Sequence, residues 1–145
     1  MTIAEQICFV DTNVFARWLT QDEPTHAVRA TELLNLVEAG EIAATTSEGV
    51  IVELVYILQS KRTYARTREQ IQELVRDVIN LRGLRLARKT VYLRALDLFA
   101  QNGGIDFVDC LNVAHMEYAG IREIWTFDKD YARMKGISGV VSREP

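Results

Sequence analysis

The chain opens on a short apolar run, Ile7-Cys8-Phe9-Val10, which stops at Asp11-Thr12-Asn13. A brief apolar run that ends in turn-forming residues predicts a fully buried strand. Residues 14–19 predict a short helix, and Asp22-Glu23-Pro24 has the acids and proline of a helix's first turn. Across residues 25–39, Ala27, Val28, Ala30, Leu33, Leu34 and Val37 recur at helical spacing, and Gly40 is a C-terminal stop. Residues 42–46 predict a second buried strand, and Ser47 is suited to N-cap a helix over 48–60. Thr67 caps a helix over 68–80. Residues 84–87 are a weak strand candidate, and a helix over 90–101 ends at Asn102-Gly103-Gly104. A mostly apolar helix over 105–119 follows, then a strand over 124–127 that ends in Asp128. Asp130, Tyr131 and Met134 start a short helical turn, Val140-Val141 is a last brief strand, and residues 142–145 form a tail.

Short buried strands joined by helical connections predict an α/β fold with a mostly parallel central sheet of four to five strands, covered on both faces. The carboxyl ends of parallel strands share one edge, and that edge is where such folds build their sites. Asp11 and Asp128 each close an apolar strand and so fall on it. The plainer role for Asp11 is to cap the turn that follows, since Asp, Thr and Asn all favour caps and turns.

Two more carboxylates stand out against apolar surroundings. Glu53 is the single charged residue in Val50-Ile51-Val52-Glu53-Leu54-Val55-Tyr56-Ile57-Leu58. A helix apolar on every side is buried on every side, so Glu53 must be protonated, paired with an arginine or bound to a cation. Asp106 is positioned to cap the 105–119 helix, and Asp109 lies one turn further in, flanked by Val108 and Cys110. His115 is six residues beyond Asp109 and off its face, so it reads as a packing or surface histidine, and His26 is isolated. Should Glu53 and Asp109 face the same edge as Asp11 and Asp128, four carboxylates cannot all stay ionised without a cation. Oxygen ligands alone suit Mg²⁺ or Mn²⁺, whereas zinc would want a His/Cys cluster. Such ions activate water and stabilise charge on a phosphoryl group during in-line displacement.

Composition bounds these readings. The chain has 145 residues, 48% hydrophobic and 26% charged, which suits one globular domain over residues 1–145. A net charge of −3 argues against broad electrostatic capture of nucleic acid but permits a local basic patch. The stretch Lys61-Arg62-Thr63-Tyr64-Ala65-Arg66-Thr67-Arg68 could hold a phosphate backbone, although a solvated helix–helix connection is the plainer reading. No apolar run is long enough to span a bilayer, and residues 1–6 carry no leader pattern. Cys8 and Cys110 lie in apolar surroundings and read as reduced core residues of a cytoplasmic protein. P-loop, GxGxxG, nucleophile-elbow and HExxH motifs are absent.

Four motifs in order resemble the PIN-domain ribonucleases, and most closely the VapC-type toxins of toxin–antitoxin pairs. They are Asp11-Thr12-Asn13 after the first strand, Glu53 in an apolar helix, Asp109 (with Asp106 before it) opening an apolar helix, and Thr126-Phe127-Asp128-Lys129-Asp130-Tyr131. The resemblance covers nearly the whole chain. It implies a three-layer α/β/α sandwich and an Mg²⁺- or Mn²⁺-dependent endoribonuclease. By the match, Asp11, Glu53, Asp109 and Asp128 hold the metal, Asn13 and Thr126 are polar support, and Asp130 is a secondary acid. The resemblance also implies an RNA substrate, a cognate antitoxin and a homodimer. Phe15, Trp18 and Leu19 form a candidate antitoxin dock, unless they are simply core. Asn112 and Val113 stand where small or aliphatic residues are commoner, and Tyr131 replaces a frequent phenylalanine. Asn112 is one turn from Asp109 and either hydrogen-bonds near the site or faces a neighbouring helix.

Two other readings compete. One is a non-catalytic binding module, which has no need of crowded like charges. The other is a phosphoryl-transfer domain that uses Asp11. Its haloacid-dehalogenase-like form wants an acid two residues later, where Asn13 stands.

Overall fold

The helices that start at Thr12, Pro24, Glu48 and Arg68 each have a side-chain cap, whereas those at Lys89, Phe107 and Asp130 have none. The structure, a computed structural model, describes residues 6–145, so the amino-terminal residues read above as lacking a leader lie, Gln6 apart, outside the described residues. The chain divides into two compact units, Met1–Ala87 and Arg88–Pro145.

In the first unit β1 (Cys8–Phe9) and β2 (Ala44–Thr45) pair in parallel, with Cys8 opposite Ala44 and Phe9 opposite Thr45. The Val10 amide extends the ladder to the Thr45 carbonyl at 2.9 Å. The weak strand candidate at 84–87 is reduced to one parallel bridge between Leu84 and Ala44. Helices α1 (Thr12–Thr20), α2 (Pro24–Glu38), α3 (Glu48–Gln59) and α4 (Arg68–Ile79) complete the unit. Glu23 caps α2 by accepting from the Thr25 and His26 amides, Ser47 caps α3 through the Val50 amide, and Thr67 and Gln70 form a capping box on α4. Helix α1 packs against α2 and α3, and α3 against α4. Phe15, Leu34, Ile51, Leu54, Leu58, Ile71 and Ile79 are buried between them. Each such side chain contributes about 1.5–3 kcal/mol.

Three expectations are corrected here. The first strand is buried only at Val10; Ile7 and Phe9 are 47% and 59% exposed. Alternate strand residues face opposite sides, and only the side with Val10 meets the helices. Helix α3 is not buried all round, since Gly49, Glu53 and Tyr56 form an exposed stripe along it. Their spacing of three to four residues is one helix face, and the apolar Val52 and Ile57 beside it are only half-buried. Phe15 belongs to the core and cannot be a dock, while Trp18 and Leu19 are half-buried.

The basic stretch 61–68 is a connection between α3 and α4. Its Tyr64 hydroxyl donates to Asp22 (2.7 Å) and accepts from Arg17 (2.9 Å), and Arg17 also pairs with Asp22 (2.9 Å). Gly83 precedes the Leu84 bridge, and its carbonyl oxygen accepts from the Ala44 amide at 2.9 Å. A Cβ there would run into the Val37 and Ile42 carbonyl oxygens, which are backbone and cannot swing aside. Gly83→Ala is therefore expected to destabilise the chain by about 1–3 kcal/mol, read as a lower denaturation midpoint in urea.

The second unit holds α5 (Lys89–Gln101), α6 (Phe107–Ala119), β3 (Glu123–Trp125), α7 (Asp130–Arg133) and β4 (Val141–Arg143). Helices α5 and α6 pack closely, with Phe99 and Phe107 edge-to-face at 5.7 Å. Arg94 grips Glu117 through Nε (2.8 Å) and a second nitrogen (3.1 Å). Strands β3 and β4 pair in parallel, Glu123 opposite Val141 and Trp125 opposite Arg143, and Arg143 pairs with Glu123. Ser142 and Arg143, expected in a tail, thus belong to a strand. Trp125 and Phe127 are 61% and 75% exposed, so this strand too is not fully buried. Buried Asn102 accepts from the Lys135 amide (2.7 Å) and donates to the Lys135 carbonyl (3.0 Å), which anchors the segment after α7 to the end of α5. Among the described residues the strand ladders are these two parallel pairs and the Leu84 bridge. The parallel sense matches expectation; the hydrogen bonds do not form one sheet of four to five strands. No helix among the described residues is long and apolar enough to cross a membrane.

Candidate metal centre

The acids of the second unit converge. Asp109 sits in the first turn of α6, while Asp128 and Asp130 lie on the segment from β3 into α7. One carboxylate oxygen from each of the three lies within 4.8 Å of the others. A ladder of short turns aims the second and third acids. The Thr126 hydroxyl accepts from the Asp128 amide (2.9 Å), and Asp128 Oδ1 accepts from the Asp130 amide (2.8 Å). Both are side-chain-to-backbone turns of the kind Thr and Asp form two residues ahead. Asp130 also pairs with Arg133, one turn on.

Asp109 is held from a third direction. The buried Tyr131 hydroxyl donates to Asp109 Oδ1 at 2.9 Å, and Asn112 Nδ2 donates to the same hydroxyl at 2.9 Å. Burial pushes the Asp109 carboxyl above its ordinary range; the Tyr131 bond opposes this, and the charges of Asp128, Asp106 and Asp130 add to it. Burial likewise raises the Tyr131 hydroxyl to about 12, so it stays protonated and available as a donor at neutral pH.

The other expected residues behave differently. Asp106 takes the N-cap position of α6 but makes no capping hydrogen bond with its side chain, and it stands outside the three-acid group. Asp11 is the N-cap of α1, with Oδ1 accepting from the Thr12 amide at 2.8 Å, so the capping role is real. Asn13 beside it is exposed, and so is Glu53 on α3. Exposure removes the argument that Glu53 needs a partner, because it is never taken from water. Asp11, Asn13 and Glu53 lie in the first unit, and the acid group lies in the second. His115 is half-buried on α6 and outside the acid group. Cys110 is buried, and Cys8 only half-buried.

The family model of the PIN domain matches residues 8–137. The chain belongs to the PIN-domain family. No curated protein matches it. PIN domains have an α/β fold, generally act as nucleases on nucleic acid and typically use divalent metal ions. In this PIN domain the acid group supplies only carboxylate oxygens, with no His or Cys among them. That donor set fits a hard divalent cation.

Tyr131 and Asn112 are the residues whose roles sequence reasoning left open. The available signal was burial: a tyrosine one residue after Asp130, too apolar to stay in water, needs a partner for its hydroxyl. Arg133 was missed entirely. Its i,i+3 spacing from Asp130 on a helical turn was the available signal.

Proposed function

We propose that this PIN domain is an Mg²⁺- or Mn²⁺-dependent endoribonuclease, with both units forming one nuclease domain, and that it is the toxin of a toxin–antitoxin pair in the cytoplasm. The observation that carries this reading is the convergence of Asp109, Asp128 and Asp130 within a family of nucleases. In this reading Asp109 and Asp128 hold the cation from the second unit. Asp130, shared with Arg133, is a secondary acid that can turn towards it. Asp11 and Glu53 provide the remaining carboxylates of the quartet. The motif order supports their part, and both are exposed to solvent. Bound Mg²⁺ or Mn²⁺ would activate water and offset the charge that builds on the phosphodiester.

The chain's own residues supply the rest. Tyr131 and the Thr126–Asp128–Asp130 turns hold three like charges close together against their repulsion. Asn13 lines a cavity of about 470 Å³ with Arg17, His26 and Arg29. Arg17 there already pairs with Asp22, and His26 lies 2.8 Å from Glu23, so Arg29 and Asn13 are the lining groups that suit an RNA phosphate. An antitoxin partner and a homodimer belong to the same proposal.

The purified chain is expected to cut single-stranded RNA internally when Mg²⁺ or Mn²⁺ is present. EDTA should stop cleavage, and excess Mn²⁺ should restore it. Cleavage that survives EDTA, or RNA binding without cleavage in either metal, would sink the assignment. For the toxin role, expression of the chain alone should arrest growth, and a small neighbouring reading frame should relieve the arrest.

A further inference from the structure

The Tyr131 hydroxyl requires an explanation that ring packing does not give. A phenylalanine would fill the same space, and burying a hydroxyl is unfavourable unless it is hydrogen-bonded. Here it is bonded twice: it donates to Asp109 Oδ1 and accepts from Asn112, each at 2.9 Å. Asp109 and Asn112 sit one turn apart on α6, whereas Tyr131 directly follows Asp130 on α7. The hydroxyl therefore ties the helix carrying one acid to the segment carrying the other two. Donation from Asn112 polarises the hydroxyl and strengthens its bond to the carboxylate.

A carboxylate with one oxygen claimed by a donor has the other left for a cation. Mg²⁺ and Mn²⁺ take octahedral sites that such single oxygens fill well. Ca²⁺ takes six to eight oxygens and often grips both atoms of a carboxylate. We infer that Tyr131, held by Asn112, is a positioning residue that restricts Asp109 to one-oxygen ligation and so makes the acidic site select Mg²⁺ or Mn²⁺ over Ca²⁺. This rests on the metal-dependent reading above.

The test is calorimetric titration of the full chain with Mg²⁺, Mn²⁺ and Ca²⁺ separately, with thermal melting of each variant. Tyr131→Phe is expected to weaken Mg²⁺ binding by about tenfold or more. Ca²⁺ binding should fall less or tighten, so the ratio of the two dissociation constants moves. Asn112→Ala should shift the ratio the same way by less, and should add nothing in the Tyr131→Phe background, because it acts through the hydroxyl. An unchanged ratio, equal weakening of both ions, or a full additive effect of Asn112→Ala would overturn the inference. If Tyr131→Phe does not fold, Asn112→Ala, at an exposed position, carries the test through the same ratio. A wild-type chain that binds none of these ions overturns the metal-dependent reading itself. A wild type that binds them, with variants of unchanged ratio, overturns only the role of Tyr131.

Discussion

Asp109→Asn is expected to slow RNA cleavage by about a thousandfold, or about 4 kcal/mol of transition-state stabilisation, because a neutral amide is a poor ligand for a hard cation. The same change should make the protein more stable at neutral pH. The folded Asp109 carboxyl is pushed above its ordinary value of 3.8, first by burial and then by the neighbouring charges, against the Tyr131 bond. A carboxyl that holds its proton more tightly when folded loses stability as pH rises from the unfolded value through the folded one. Above that window the penalty is fully present; below the ordinary value it is gone. Asparagine never carries the charge, yet its side-chain oxygen can still accept from Tyr131. The advantage of the variant should therefore be largest at neutral pH and should close as pH falls below 3.8. Thermal melting of both proteins between pH 3 and pH 8, roughly the range over which carboxylates titrate, measures this. A variant less stable than wild type at neutral pH would show that the acid group is not held against its own repulsion.

Asp11→Asn separates the capping role of the residue that ends the first strand from the metal role proposed for it. Asparagine caps a helix about as well as aspartate, so melting should move by less than about 0.5 kcal/mol. Cleavage should nevertheless fall by about a hundredfold or more, since the charge is what a metal site requires. Asp11→Ala removes the acceptor for the Thr12 amide as well and should cost about 1 kcal/mol of stability besides the activity. If Asp11→Asn cuts RNA at the wild-type rate, Asp11 is a cap and nothing more.

Helix positions were legible because capping is local. Ser47 and Thr67 each sit where their short-range chemistry predicts and make their bonds; Glu23, expected in a first turn, is itself the cap, and Asp106 takes its cap position without a side-chain bond. Strand burial was less legible, because an apolar run does not say which of its two faces will be covered. Ile7, Phe9, Trp125 and Phe127 are apolar by sequence and exposed in place. Glu53 misled for the related reason that an apolar helix can still leave one stripe in water, and that stripe here passes through Gly49, Glu53 and Tyr56. In the site, Asp109 and Asp128 could be picked out by their apolar neighbours. Asp130, expected as a secondary acid, stands in the same three-acid group, because the turns at Thr126 and Asp128 bring it round. Tyr131 and Asn112 are 19 residues apart, a pairing that no local pattern encodes.

Strand β3, which leads into the acid-bearing segment, takes its backbone partners from β4: Thr126 donates to the Arg143 carbonyl at 2.9 Å, and Val141 to the Arg122 carbonyl at 2.8 Å. This gives the site a place in time. During synthesis Asp109, Asp128 and Asp130 all emerge before residues 141–143 are available to brace that strand. In the proposed nuclease, the segment that carries Asp128 and Asp130 would therefore gain its strand support only once residues 141–143 have paired with β3.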